Sequence, residues 1–261
     1  MSKFDANQPI QLSFGEALEQ TFNTWKKIAL LTGGILILLG IVGATIYGGL
    51  FVLIFGTTNI AQELVNLQSL DNQTPLMLLT LIFTVIVAAL FTPITAGLIQ
   101  IAHNADSGED YSFNTAFEHF KSVHLKDLIL SAVIINLASQ GLSIVGQLLS
   151  TQTDSISTFI AGTLSTLLSL LTFISIPFII FGKLDAIEAI KASISVCGRK
   201  FFTVLFLIIV VGIIAILGVI GLCIGIFFTM SLINALQYNI YKLAVGIENV
   251  DELSQIGEDS Y

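Results

Sequence analysis

One uncharged stretch, residues 201–241, restricts the folds open to this chain more than any other feature. As a single α-helix at about 1.5 Å per residue it would be roughly 60 Å long, twice the hydrocarbon thickness of a bilayer. We therefore predict that it folds back at the glycine-containing turn 218–225. It would then cross a membrane twice, near residues 200–219 and 222–243.

The rest of the chain is also too apolar for a soluble fold. Of its 261 residues, 54% are hydrophobic and 11% are charged, whereas a typical soluble domain is about 25% charged. A membrane helix needs roughly 20 apolar residues. Four further stretches meet that length: residues 28–55, 76–102, 128–149 and 157–182. The predicted fold class is therefore all-α, a polytopic membrane protein with six transmembrane helices, and Pro177 favours a kink in the fourth.

Lysine and arginine give the predicted orientation. All ten fall on one side of the six-helix arrangement, and the opposite loops, 56–74, 150–156 and 218–225, contain none. Positive residues accumulate on the cytoplasmic side of membrane proteins. We therefore expect a multi-pass protein with both termini in the cytoplasm.

Residues 1–246 are predicted to form a single integral membrane domain, followed by an acidic tail. The tail, 247–261, carries much of the net charge of −8 and is too polar to pack, so we expect it to be disordered. An acidic chain without a basic cluster argues against nucleic acid as a partner.

Three short amphipathic segments share a pattern. Residues 112–127 align with 13–28 at a shift of 99 positions, and a third copy lies at a shift of 172. Each copy has the i, i+3, i+4, i+7 apolar spacing of a helix but is too short and polar to span a membrane. We predict three cytoplasmic-side interfacial helices near 13–27, 112–125 and 185–198. The chain would then consist of three parallel pseudo-repeats.

A basic residue closes each copy of this segment. Lys27, Lys126 and Arg199 would lie at headgroup level, where they are candidate lipid-headgroup contacts. Membrane lipids are therefore the expected partners. A second interpretation makes the segments gates or docking elements for a membrane-protein partner or for a homo-oligomer.

Amide side chains form a second candidate site. They are Asn136, Gln140 and Gln147 in the third predicted span and Asn234 and Gln237 in the sixth. One interpretation is a set of interhelical hydrogen bonds, each worth about 1 kcal/mol or less. The other is a polar seam that lines a substrate path.

Side chains that carry chemistry are sparse within the predicted spans. No Asp, Glu, Lys or Arg falls in the middle of a span, where transporters and intramembrane enzymes keep ionisable groups. His103, His119 and His124 lie towards the predicted cytoplasmic side, and we interpret them as solvated interfacial residues. We therefore expect no catalytic residue, no metal and no cofactor.

The region from "PITAGLIQIAHNADSGEDYSFNTAFEHF" through "IPFIIFGKLDAIEAIKASISVCGRKFF" resembles a known group of proteins. It is similar to uncharacterised six-helix bacterial inner-membrane proteins of the YciC kind. It is also similar to the membrane domain attached to some glycerophosphoryl diester phosphodiesterases. The resemblance rests on Pro93, Gly97, Gly108, Pro177 and Asp185. It implies a location in the bacterial inner membrane and an envelope role, and it brings no catalytic residue.

Three functional hypotheses follow. The first is a non-enzymatic integral inner-membrane protein with a role in envelope maintenance, acting through lipid or protein partners. The second is a transporter or channel for a neutral or lipid-like substrate, which rests on the polar seam. The third is a membrane subunit that serves an enzyme partner.

Overall fold

The part of the chain that the structure describes is built from helices. The computed structural model describes residues 10–55, 73–149, 156–221 and 225–246. Its α-helices are α1 Phe14–Phe55, α2 Gln73–Ser107, α3 Leu125–Leu149, α4 Ile156–Leu171, α5 Ser175–Ile180, α6 Ala186–Arg199, α7 Phe201–Gly221 and α8 Gly225–Val245. A 3-10 helix, Phe113–Lys121, lies between α2 and α3. No strand occurs in these ranges, so the all-α prediction is confirmed for them.

Several helices have the length and composition of membrane spans. They are Phe14–Thr45, Leu81–Ser107, Leu125–Leu149 and Ile156–Ile180. A fifth span results if Ala186–Arg199 and Phe201–Ile216, which meet at 93°, are counted together. These helices indicate a membrane-embedded protein. The helices α7 and α8 cover most of the last two predicted spans, and the count of six stays a prediction.

The first amphipathic segment is not a separate helix, which corrects the prediction for 13–27. The helix α1 runs unbroken through this segment and through the predicted span 28–55. Its sequence contains no proline, so nothing interrupts the backbone hydrogen bonds. Its buried stripe begins at Ala17, Thr21 and Thr24. These small side chains let α8 approach α1 closely along its length.

The other two copies differ from each other in conformation. The second copy forms the 3-10 helix Phe113–Lys121 instead of the α-helix predicted over 112–125. The third forms α6, whose start follows the predicted N-cap: the Asp185 carboxylate accepts the Ile187 and Glu188 amides at 2.9 Å each. The first and third copies are thus α-helical and the second is a 3-10 helix, and the pseudo-repeat stays a prediction.

The fourth predicted span, 157–182, is broken. The helix α4 ends at Leu171 and α5 begins at Ser175, with a turn over residues 172–174. Proline has no backbone N–H, so Pro177 leaves the Phe173 carbonyl, four residues earlier, without its helical donor. The predicted kink is therefore a local interruption at 172–174, and Ile156–Ile180 still has the length and composition of one span.

The basic residues that the structure describes gather at one end of the bundle, which we call the charged end. There α1, α3 and α7 begin and α2, α5 and α8 finish. Lys242 of α8 pairs with Asp106 of α2 at this end, and Lys27 of α1 reaches Ala105. Lys3 lies outside the described residues. The one-ended distribution is thus a property of the described structure, and the compartment that this end faces stays a prediction.

Candidate functional site

A network of polar side chains joins α2 to α8 at the charged end. Asp106 Oδ2 accepts hydrogen bonds from Lys242 Nζ and, at 2.9 Å, from the Tyr238 hydroxyl. His103 Nδ1 lies 3.4 Å from the same hydroxyl. The Tyr238 hydroxyl has one proton, which it donates in the hydrogen bond to Asp106. The Tyr238 oxygen can only accept a further bond, so His103 Nδ1 is the donor to it.

Aromatic rings close the inner side of this network. The Phe181 ring centroid is 5.0 Å from that of His103, 6.1 Å from that of Tyr238 and 5.8 Å from that of Tyr241. Tyr238 is 1% exposed and Tyr241 3%. His103 was expected to be a solvated interfacial residue. His103 is half-buried instead, with its ring against those of Phe181 and Tyr238. Phe181 comes after the break in the fourth span.

Lys27 has a protein partner, which changes its predicted role. Its Nζ donates to the Ala105 carbonyl at 3.0 Å, and its own carbonyl accepts the Tyr111 hydroxyl at 3.2 Å. Ala105 belongs to the last turn of α2, where carbonyls have no intrahelical donor and the helix dipole favours a cation. Lys27 therefore caps α2, although its side chain stays exposed. The other two predicted headgroup contacts, Lys126 and Arg199, are exposed.

The five amides of the predicted seam do not gather along one path. Asn136 Nδ2 donates to the Ala132 carbonyl of its own helix at 2.9 Å. Gln140 is half-buried and Gln147 is exposed on α3, whereas Asn234 is buried in α8. The helix α3 packs mainly on α2 and α4, and α8 packs mainly on α1 and α7. The two groups of amides therefore lie in different helix interfaces.

Gln237, the remaining seam residue, repairs the broken span. Its Nε2 donates at 2.9 Å to the Phe173 carbonyl, the group that Pro177 leaves without a helical donor. Ser193 of α6 bonds both sides of the same break: its hydroxyl donates to the Leu171 carbonyl at 2.8 Å and accepts the Ile174 amide at 3.2 Å. Buried backbone groups need such partners in a membrane. Ser193 is not among the residues predicted from the sequence, although Pro177 indicates that a nearby carbonyl lacks its helical donor.

The 3-10 helix presents an aromatic face to its surroundings. We define this aromatic face as Phe113, Phe117 and Phe120 with the adjoining Val123; Phe117 is half-buried against the core and the other three are exposed. The ring centroids of Phe113 and Phe117 lie 5.1 Å apart, and those of Phe117 and Phe120 lie 6.4 Å apart. Val123 is 88% exposed. The basic residues Lys121 and Lys126 are exposed beside this face, so bulky apolar groups and cations occur together.

Small residues of the same segment pack onto α2. Ala116 and Thr115 are buried, and the Ala116 backbone lies against Gly97 of α2. A Cβ added at Gly97 would lie 2.6 Å from Ala116 Cα and would overlap the Ala116 carbonyl. The third copy follows the same rule, since α6 buries Ala189 while Ile187 is 51% exposed. The second and third copies thus both pack an alanine inwards, and larger residues such as Val196 are buried with it.

His119 is buried beneath the aromatic face, although it was expected to be solvated. Within the described structure neither of its ring nitrogens has a hydrogen-bond partner, and its Nε2 is 3.8 Å from Glu118 Oε1. Burial lowers the pKa of His119 from about 6.5 to about 4, and the charge of His124 acts in the same direction. The imidazole is therefore neutral at physiological pH.

The lowered pKa has a consequence for stability. Between pH 6.5 and about 4 the unfolded chain binds a proton that His119 in the folded chain does not. The free energy of unfolding therefore rises with pH across this interval and falls on acidification. The full effect amounts to about 3 kcal/mol.

Neither metal-binding clusters among the described residues nor comparisons with known proteins assign a chemistry to the charged end. Among the described residues, no group of three or more His, Cys, Asp or Glu side chains is arranged to hold a metal ion. Comparisons with protein-family models, curated proteins and solved structures find no match to the chain. The functional argument therefore rests on the geometry of the charged end.

Proposed function

We propose that this chain is a non-enzymatic integral protein of the bacterial inner membrane that contacts anionic lipid at its cytoplasmic face. The proposed role is envelope maintenance through lipid or protein partners. One observation carries it: Phe113, Phe120 and Val123 are exposed, and so are Lys121 and Lys126 close to them in the chain, while the small residues of the same segment pack onto α2. Bulky apolar side chains next to cations are the combination that binds an anionic interface.

The resemblance to six-helix inner-membrane proteins and the one-ended placement of the basic residues support the proposed location. Cations accumulate on the cytoplasmic side, which supports a cytoplasmic location for the charged end. In that orientation the aromatic face would lie at the inner leaflet, where anionic headgroups give each nearby cation about 1 kcal/mol of attraction.

Fluorescence quenching by brominated lipids tests the lipid contact. Trp25 is the single tryptophan of the chain, and its Nε1 donates to the Phe228 carbonyl at 2.9 Å inside the bundle. Phe120→Trp in a Trp25→Phe background moves the probe to the aromatic face. We expect brominated phosphatidylglycerol to quench Trp at position 120 more strongly than it quenches Trp25 in the native chain. Equal quenching at both positions contradicts the proposal.

The charge requirement has its own variant. Lys126→Gln is expected to remove the preference of this quenching for phosphatidylglycerol over phosphatidylcholine, and Lys126→Arg is the charge-conserving control that keeps it. If both variants behave alike, the contact is apolar only and the electrostatic part of the proposal is wrong.

A transporter for a neutral or lipid-like substrate is the second candidate. The break between α4 and α5 favours it, because discontinuous membrane helices build substrate sites in many transporters. Ser193 and Gln237 bond to the backbone at this break. Solute flux into proteoliposomes tests the idea: Gln237→Leu should abolish a flux that the native chain supports, and no flux above that of empty liposomes contradicts it.

A further inference from the structure

A groove runs along the apolar side of the bundle between α4 and α7. Its volume is about 500 Å³, within the range of about 300–1,000 Å³ that is usual for ligand sites. Successive turns of α4 line one wall and α7 lines the other. The lining includes Thr158, Gly162, Thr166, Leu170, Phe201 and Leu205. Both helices belong to stretches apolar enough to lie in a membrane.

The walls of this α4–α7 groove offer little to a polar ligand. The Thr163 hydroxyl donates to the Phe159 carbonyl and the Thr166 hydroxyl to the Gly162 carbonyl, each at 2.9 Å within α4. Both hydroxyls are therefore bound to their own helix, as threonines in apolar surroundings commonly are. The groove is suited to an apolar occupant.

The two sides of α4 differ in how tightly they pack. On the α3 side, a Cβ added at Gly146 would overlap the Ala161 side chain. One residue further along α4, a Cβ added at Gly162 would meet nothing within 4 Å. Helix pairs in proteins normally interdigitate without such space. The opening on the α7 side is thus a local departure from close packing.

Two cations stand where the groove reaches the charged end. Phe201, which lines the groove, directly follows Arg199 and Lys200 in the chain. The end of α6 is held beside the end of α4, because a Cβ added at Gly198 would lie 3.9 Å from Leu171 Cδ2. An apolar slot that ends at two basic residues is complementary to an amphiphile with an anionic head.

We propose that the α4–α7 groove binds an anionic phospholipid. One acyl chain lies in the groove along Gly162 and Thr166, and the phosphate contacts Arg199 and Lys200. The inference rests on the proposed membrane location and adds a defined lipid site to it. A partner helix is a less suitable occupant, because a helix with its side chains is about 10 Å wide and gains nothing from the two cations.

Native mass spectrometry of the full chain in mild detergent, titrated with phosphatidylglycerol or phosphatidylcholine of equal chain length, tests the groove. Gly162→Leu fills the open space without a clash. We expect this variant to weaken retention of phosphatidylglycerol about tenfold. That is the effect of removing about two methylene groups of the lipid from a buried site. Gly141→Leu is the matched control, since Gly141 also has nothing within 4 Å of an added Cβ and lies outside the groove. Thr166→Leu fills the groove one turn away and serves if Gly162→Leu does not fold.

The headgroup part has separate variants. Arg199→Gln with Lys200→Gln should remove the preference for phosphatidylglycerol, and the exchange Arg199→Lys with Lys200→Arg should keep it. Unchanged retention in both Gly162→Leu and Thr166→Leu overturns the proposal. If these two variants keep the lipid but lose a co-purifying protein or a dimer, the groove binds a partner helix and the lipid proposal is overturned.

Failure of this inference is distinguishable from failure of the proposed function. The quenching of Trp at position 120 reports the aromatic face on the 3-10 helix, and it does not depend on α4 or α7. If that quenching persists while the groove variants retain lipid normally, only the groove assignment is wrong. If quenching at position 120 fails, the general lipid-contact proposal is wrong as well.

Discussion

Replacing Gly97 by alanine tests how the 3-10 helix is held. Gly97 lies on α2, and the Ala116 backbone of the 3-10 helix rests directly on it. A Cβ at this position would lie 2.6 Å from Ala116 Cα and would overlap the Ala116 carbonyl. The obstacle is backbone rather than a flexible side chain, so the whole segment Phe113–Lys121 has to move away from α2.

The magnitude follows from two opposing terms. Overpacking a close contact costs about 1–3 kcal/mol, while exchanging glycine for alanine inside a helix contributes about 1 kcal/mol of stability. Gly141→Ala isolates the second term, because an added Cβ at Gly141 meets nothing within 4 Å. The two variants should therefore differ by about 2 kcal/mol, which corresponds to about 4–8 °C in Tm for a chain of this size.

Thermal unfolding in mild detergent, combined with amide hydrogen exchange, measures the effect. We expect Gly97→Ala to unfold at a lower temperature than Gly141→Ala. Faster exchange should be confined to residues 113–121 and to the α2 turn beneath them. If Gly97→Ala is as stable as Gly141→Ala and exchange at 113–121 is unchanged, the 3-10 helix is not packed on Gly97 and the reasoning is refuted.

Three further predictions concern single side chains. Lowering the pH from 7 to 5 should reduce Tm, because buried His119 stays neutral while the unfolded chain gains a proton, and His119→Phe should lessen this dependence; an identical pH dependence in both proteins contradicts it. Gln237→Leu should lower the free energy of unfolding by about 1–3 kcal/mol by leaving the Phe173 carbonyl unpaired, and an unchanged Tm would show that the carbonyl has another donor. Asp106→Asn and Lys242→Met should give a coupling energy of about 1 kcal/mol in a double-mutant cycle that shrinks with added salt, whereas strictly additive effects would mean that the pair contributes nothing.

The long apolar helices could be predicted closely from the sequence. The span predicted at 76–102 lies within α2, Gln73–Ser107, and that at 128–149 lies within α3, Leu125–Leu149. Both depend on one physical requirement, which is enough consecutive apolar residues to match the bilayer. Such a requirement acts locally along the chain and needs no knowledge of neighbouring helices.

The polar network could not be predicted in the same way. Asp106 and Lys242 pair across 136 positions of the chain, and no local spacing signals that contact. The break at 172–174 could be predicted in part, since Pro177 has no backbone N–H to donate to the carbonyl four residues earlier. The residues that supply replacement bonds, Ser193 and Gln237, belong to other helices. Tertiary contacts of this kind decide which polar groups are structural.

The basic residues illustrate the same limit, and they also decide what the charged end can do. Each copy of the amphipathic segment ends in a cation, so the sequence treats Lys27, Lys126 and Arg199 alike. In the structure all three are exposed, and Lys27 also caps α2 through the Ala105 carbonyl. A cation at a helix C-terminus stabilises that helix, so replacing Lys27 would disturb the bundle as well as any lipid contact. The lipid-binding role proposed for the charged end is therefore tested more cleanly at the cations beside the aromatic face and next to the α4–α7 groove than at Lys27.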